Sequence, residues 1–235
     1  MALRPWSPIP ILDRGEPMVA LPPSLHRLEP HPYLSLGAPY GKDACPFRLR
    51  QGVVERLLRA QALLQENEPT WCLAIFDAWR PVVVQRFMVA HATAQACRER
   101  GLDVLGSGPA WEAVRQEVGC FWAPPSEDPA TPPPHSTGAA VDLTFASGSG
   151  DPLEMGGAID AIGPISSPEF YAEAAAADPQ SQQAGWHRRR VLLTAVMKAA
   201  GFAQHPQEWW HFSYGDQLWA WRTGQGWAIY GRTGD

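Results

Sequence analysis

Two short stretches of this chain carry the residue types that could do chemistry together. In His135-Ser136-Thr137-Gly138-Ala139-Ala140-Val141-Asp142 an imidazole and a carboxylate flank a glycine, and in Glu208-Trp209-Trp210-His211 a carboxylate precedes a second imidazole by three residues. Gly138 permits the positive φ of a tight turn, and Ala139 to Phe145 then reads as a buried strand whose one acid, Asp142, points inward. His135 before the turn and Asp142 beyond it can therefore converge. Two His, one Asp and a spare Glu resemble a catalytic zinc set, although such ligands also suit cobalt or nickel: His135, Asp142 and His211 as ligands, a fourth position left for water, and Glu208 to take the water's proton. The expected cofactor is one Zn2+ per chain, and the chemistry is metal-assisted hydrolysis.

No His-Glu-x-x-His is present, and both stretches are rich in strand formers, so the site belongs on a sheet rather than on one helix. A single His beside a glycine turn is more often a hydrogen-bonded core or surface residue than a ligand. The pairing of His-x6-Asp with Glu-x-x-His, each next to a strand-like run, is what favours a metal. Residues three apart on an extended strand face opposite sides, so Glu208 and His211 can share the site only if the chain bulges or turns around Trp209-Trp210.

The elements that must position these groups can be read from periodicity. Val53, Val54, Leu57, Leu58, Leu63 and Leu64 recur at helical spacing between Leu49 and Asn67, with Pro69 closing the pattern. Trp71 to Phe76 is a continuous apolar run that predicts a central strand ending at Asp77. Pro81 suits the first turn of a helix from Val82 to Arg100, closed by Gly101, which puts Arg80 on a strand-to-helix junction. Taken alone, Arg80 reads as an ordinary surface salt bridge. A short helix over Ala110 to Val118 leads into a proline-rich, acidic loop that abuts His135 and reads as a lid or cleft wall, with Pro132-Pro133-Pro134 holding it extended.

Ala184 to Ala200 predicts another helix, with Val191, Leu192, Ala195, Val196 and Ala199 along its buried face and Arg188-Arg189-Arg190 solvated. Phe202 to His205, Glu208 to Tyr214, Leu218 to Arg222 and Trp227 to Tyr230 read as successive strands, and on the second of these Trp209 or Trp210 would wall the cleft. Residues 1 to 31 are proline-rich without periodicity, which predicts an irregular N-terminal arm. The expected fold class is α+β, a small, mainly antiparallel sheet flanked by helices.

Pro134-His135-Ser136-Thr137-Gly138-Ala139-Ala140-Val141-Asp142 and Glu208-Trp209-Trp210-His211-Phe212 resemble the D-alanyl-D-alanine dipeptidases, zinc enzymes of the vancomycin-resistance type. The resemblance extends to Asp77-Ala78-Trp79-Arg80-Pro81, similar to the family's arginine motif, and to Met155-Gly156-Gly157-Ala158-Ile159-Asp160, similar to its Met-Gly-x-x-x-Asp segment. It implies the zinc D,D-peptidase, hedgehog-like fold. It further implies Glu208 and Arg80 as catalytic groups, the latter facing the developing oxyanion, and Asp160 as counter-ion to the substrate's ammonium. Tyr33 lies in a segment similar to the family's early substrate-contacting tyrosine region. One departure stands out: the family usually has serine at one or both positions before the first His, where this chain has Pro133 and Pro134.

The implied substrate is a small D,D-dipeptide. A D,D-carboxypeptidase or peptidoglycan endopeptidase on the same scaffold, and a zinc-bearing binding module without turnover, are the alternatives. Composition is compatible with all of these. The chain's 235 residues suit one domain over 1–235, and 45% apolar with 18% charged residues is an ordinary globular balance with no run long enough to cross a membrane. A net charge of −5 with scattered basic residues leaves no nucleic-acid footprint. The N-terminal residues lack the apolar run of a secretory signal, so a cytoplasmic location is expected. Cys45, Cys72, Cys97 and Cys120 match no zinc-ribbon or redox spacing and are expected to be free thiols. Eleven tryptophans imply rings lining a core or a small-ligand cleft.

Overall fold

A computed structural model describes residues 4–42 and 45–233; the first three residues of the expected arm lie outside them. A five-stranded sheet forms the centre, in the order β2 (His26–Arg27), β4 (Cys72–Asp77), β5 (Ala140–Ala146), β7 (His211–Ser213), β6 (Ala203–Gln204). All its pairings are antiparallel except β2 with β4. Every residue of β5 is buried, as expected of a strand covered on both faces. A separate two-stranded ribbon pairs β1 (Met18–Ala20) with β3 (Arg48–Arg50). The architecture is α+β.

Helices cover the sheet. On one side α2 (Gln51–Asn67) and α6 (Gln182–Ala199) pack with β4 and β5 around Leu57, Leu64, Ile75, Leu143, Leu193 and Phe212. A second apolar cluster joins α3 (Val82–Glu99) and α4 (Pro109–Phe121) through Val84, Met88, Val114 and Val118, with Tyr33 of the four-residue helix α1 (Pro32–Ser35) inside it. The cleft opens where this cluster faces the central strands.

Several local expectations are corrected. The arm is not wholly irregular, since it contributes β1 and β2. Leu218 to Arg222 is not a strand but part of helix α7 (Gln217–Thr223): the Asp216 carboxylate accepts from the Trp219 amide at 2.8 Å, an N-cap that outweighs the strand preference of two tryptophans. Trp227 to Tyr230 makes only an isolated bridge, Ala228 with Ile11, while Ile229 and Tyr230 donate to the Gly215 carbonyl. Two short helices, α1 and α5 (Ala172–Ala177), lie outside the predicted ones.

On α6 the buried face is rotated from the expected one. Val191 is 47% exposed, whereas Leu193, Val196 and Met197 are buried together with Arg190, which is 1% exposed. Arg190 is buried because its guanidinium donates to the carbonyls of Met155, Ile165 and Ser167 at 2.8–2.9 Å, between the rings of Tyr171 and Trp209. Hydrogen bonds offset the cost of desolvating a charge there.

Candidate active site

The strand register builds the floor of the site. Asp142 on β5 stands opposite His211 on β7 and, across the irregularity between Ile75 and Asp77, opposite Asp77 at the end of β4. His135 arrives from a short 3-10 turn, Pro134–Thr137, that ends at Gly138 with φ 69°. A Cβ at Gly138 would collide with Met18 Sδ, so both the torsion and the close approach of the ribbon require glycine there. The turn is locked further by Ser136 Oγ, which donates to the Arg80 carbonyl at 2.7 Å.

The three expected ligands meet. His135 Nε2 lies 3.2 Å from Asp142 Oδ2 and 3.2 Å from His211 Nδ1, and His211 Nδ1 lies 2.9 Å from Asp142 Oδ1. All three residues are buried. The outer nitrogen of His135, Nδ1, is 2.7 Å from the Ala78 carbonyl, which can only accept. That nitrogen therefore carries the proton, and a lone pair on Nε2 points inward. His211 Nε2 is likewise engaged outside, 3.3 Å from Ser213 Oγ.

Two imidazole nitrogens facing each other over a carboxylate on the floor of the cleft form a donor set that could hold a cation. The 3.2 Å between the two imidazole nitrogens is close to the edge of a tetrahedron with ~2.0–2.1 Å bonds, about 3.3 Å. The donor set fits a divalent metal. Burial works to raise Asp142, but His135 and His211 hold its carboxyl well below the usual range, so it is an ionised ligand.

Glu208 sits beside this centre. Its Oε1 is 3.6 Å from His205 Nδ1 and its Oε2 is 3.7 Å from His211 Nδ1. The chain bends at Trp209 and Trp210 before entering β7, which is the irregularity that lets residues 208 and 211 face one site. Burial, joined by the negative fields of Asp142 and Asp160, raises the Glu208 carboxyl well above its ordinary value, with Arg4 and Arg80 opposing. His205 is pushed down by burial and by His211, so it stays neutral.

Arg80 is not the surface salt bridge that it suggests in isolation. It is buried, with Nε and Nη2 on Asp77 Oδ2 at 3.0 and 2.7 Å, Nη1 on Gln85 Oε1 at 2.9 Å, and Nη2 also near the Tyr33 hydroxyl and Asp142 Oδ2 at 3.2 and 3.3 Å. Asp77, which the sequence pattern marks only as the end of a strand, is the hub of this network. It also accepts from Tyr40, contacts His31 Nε2, and lies 3.3 Å from His135 Nδ1. Burial works to raise Asp77, but Arg80 and the hydrogen bond from His31 outweigh it and hold the group at about 2. An acid closing a continuous apolar run was the available signal, because only a paired carboxylate is stable in such a place.

Asp160 lines the same cleft, and Tyr33 lies behind it, donating its hydroxyl to Asp160 Oδ2 at 2.7 Å. Asp160 has a φ of 66°, the one positive value at a non-glycine residue among those described. Burial first, and then the Asp142 charge, push it up to about 7. The loop that carries it is held by Arg190 and by the Trp209 amide, which donates to Ser166 O at 2.9 Å.

Trp209 is therefore corrected: it is 1% exposed and packs under Arg190, whereas Trp210 is the ring that lines the cleft. The bend at 209–210 reverses the alternation that a regular strand would impose. The cleft, of about 340 Å³, is completed by Arg4 and Trp6 of the arm and by Phe121, Trp122, Pro133 and Gln217. Nothing in the sequence pattern of the arm marked Arg4 or Trp6, because they reach the site only through tertiary packing.

With this geometry in place, comparison with known proteins is decisive. Residues 26–225 match the model of peptidase family M15, described as D-ala-D-ala dipeptidase. The chain belongs to that family. A D-alanyl-D-alanine dipeptidase from Synechocystis sp. is 43% identical over 230 residues, 95% of this chain and 92% of that one. One from Escherichia coli is 37% identical over 78 residues, 33% of this chain and 36% of its own. Among solved structures, the LdcB LD-carboxypeptidase aligns with 14% identity and a TM-score of 0.41 over 86% of this chain and 70% of that one. This M15 metallopeptidase carries its His/Asp/His cluster on the two central strands and the turn before them. Among the described residues no helix is long and apolar enough to cross a membrane.

Proposed function

We infer that this protein hydrolyses the dipeptide D-alanyl-D-alanine to free D-alanine, using one zinc ion held by His135, Asp142 and His211. The observation that carries the reading is the inward-facing pair of imidazole nitrogens over the Asp142 carboxylate, with an unshared carboxyl, Glu208, at its side. When bound, the ion supplies a Lewis acid that lowers the pKa of water and polarises a carbonyl.

The chain's own residues do the rest. Glu208 accepts the proton of the attacking water and returns it to the leaving amine, a double duty suited to a carboxyl whose pKa is raised. Arg80, fixed by Asp77 and Gln85, offers a positive charge that is worth most when the carbonyl oxygen becomes anionic. Asp160, backed by the Tyr33 hydroxyl, receives the substrate's ammonium. The whole chain, 1–235, is taken to work as one such domain in the cytoplasm, where free dipeptide rather than assembled cell wall would be the substrate.

The test is a panel of D,D, L,D and L,L dipeptides with an N-acylated D,D-tripeptide, run on protein whose metal content is measured by elemental analysis. Turnover of D-alanyl-D-alanine with about one zinc per chain is expected. Preference for the acylated tripeptide would make it a carboxypeptidase instead. Failure to take up zinc would remove the metal site.

A further inference from the structure

The cleft is lined by two basic side chains, and they are differently committed. Arg80 is matched by the Asp77 carboxylate. Arg4 makes no ion pair with a carboxylate among the described residues, and Glu208 acts on it only from beyond contact distance. Its Nη1 donates to the Cys120 carbonyl at 2.8 Å, and its Nη2 to the carbonyls of Gly119 and Trp122 at 2.7 and 3.3 Å. These are neutral acceptors at the end of α4, where the helix leaves carbonyls unsatisfied. They fix the guanidinium in place without cancelling its charge, and three bonds do not exhaust its five N–H donors.

The arm that carries Arg4 is fastened over the cleft. Trp6 meets the His205 ring edge-on at 5.5 Å, and Gln217 Nε2 donates to the carbonyls of Ser7 and Ile9 at 3.1 and 2.6 Å. Pro133 and Pro134, which line the same cleft, have no backbone N–H to offer an anion.

A free dipeptide is a zwitterion. Its ammonium has a counter-ion in Asp160, and its carboxylate needs a cation that is not already paired. We propose that Arg4 recognises the substrate's terminal carboxylate, so that the N-terminal arm sets the length and charge of the peptide admitted. This rests on the dipeptidase reading and adds a residue to it. Arg4 is then a specificity residue, and its ties to α4 serve to aim it.

The alternative is that Arg4 only ties the arm to α4. Calorimetric binding of D-alanyl-D-alanine and of its C-terminal amide to Glu208→Ala protein, with Arg4 intact or changed to Gln, separates the two. Arg4→Gln is expected to weaken the dipeptide about 10- to 100-fold, the usual worth of a charge-assisted hydrogen bond. It should leave the amide within about twofold, and Arg4→Lys should restore part of the loss. Equal weakening of acid and amide, or no weakening of either, overturns the proposal. If the otherwise wild-type enzyme neither binds nor hydrolyses the dipeptide, it is the dipeptidase reading that has failed, and Arg4 falls with it. Near-ultraviolet circular dichroism on each variant identifies one that has lost its fold, in which case Arg4→Lys against wild type supplies the same acid-to-amide comparison.

Discussion

Asp142 and His211 sit side by side on adjacent strands in the middle of the sheet, whereas the groups around them that would recognise substrate come from irregular places. Asp160 occupies a left-handed loop position, Tyr33 a four-residue helix, and Arg4 an arm laid across the cleft. A one-residue slip in a ladder turns every side chain to the opposite face, so strands hold a metal set to a narrow geometry. Loops carry no such constraint and can be re-aimed without dismantling the core. On the proposed reading, two of the three metal-holding residues thus belong to the sheet, and the choice of substrate belongs to what surrounds it. A substitution at the centre should abolish turnover of every peptide, and one at the periphery should change which peptide is preferred.

The sharpest way to break that division is Glu208→Ala. It should keep fold and metal and lose turnover of all substrates by on the order of 100-fold or more, as for loss of a general acid-base group. Metal content and rate must be measured on the same sample. Loss of metal together with activity would make Glu208 a ligand rather than the base.

Asp160→Ala tests the periphery. Free dipeptides should lose about 10- to 100-fold in kcat/KM, the range for a charge-assisted contact, and N-acylated ones should lose little. Equal losses for both would place Asp160 in the common machinery and blur the contrast.

Asp77 joins the two regions, because it orients Arg80 and touches His135. Its pKa of about 2 lies below the ordinary 3.8. Its contribution, about 2 kcal/mol, is therefore fully present above pH about 4 and is lost as pH falls through about 2. Urea unfolding of chelator-treated protein across that range should show the loss, and Asp77→Asn should flatten it. An unchanged acid limb in the variant would mean that the ion pair with Arg80 does not drive the shift.

Gly138→Ala acts on stability alone, with an expected cost of about 1–3 kcal/mol from a strained φ and from crowding against Met18. Thermal unfolding would report it. Full stability with weakened metal binding would show that the turn aims His135 without supporting the fold.

Local pattern reaches far in this chain. The spacing around Gly138, the acid on a buried strand and the Glu-x-x-His pair make the metal set legible, because each is a short-range consequence of turn and strand geometry. The apolar run before Asp77 and the helices flanking it are legible for the same reason. The C-terminal segment is not, since a single capping acid, Asp216, turned a tryptophan-rich run from strand to helix. Nor is the face of α6, where carbonyls from the 155–167 segment make an arginine a buried residue.

By itself the sequence determined the class of fold and which side chains could hold a metal, through periodicities and spacings that act over a few residues. Tertiary structure alone decided that Asp77 would anchor Arg80, that Trp210 rather than Trp209 would face the cleft, and that Arg4 would reach it from more than a hundred residues away in the chain. Such contacts depend on how separate elements pack, and no local pattern encodes which carbonyl or carboxylate a distant side chain will meet.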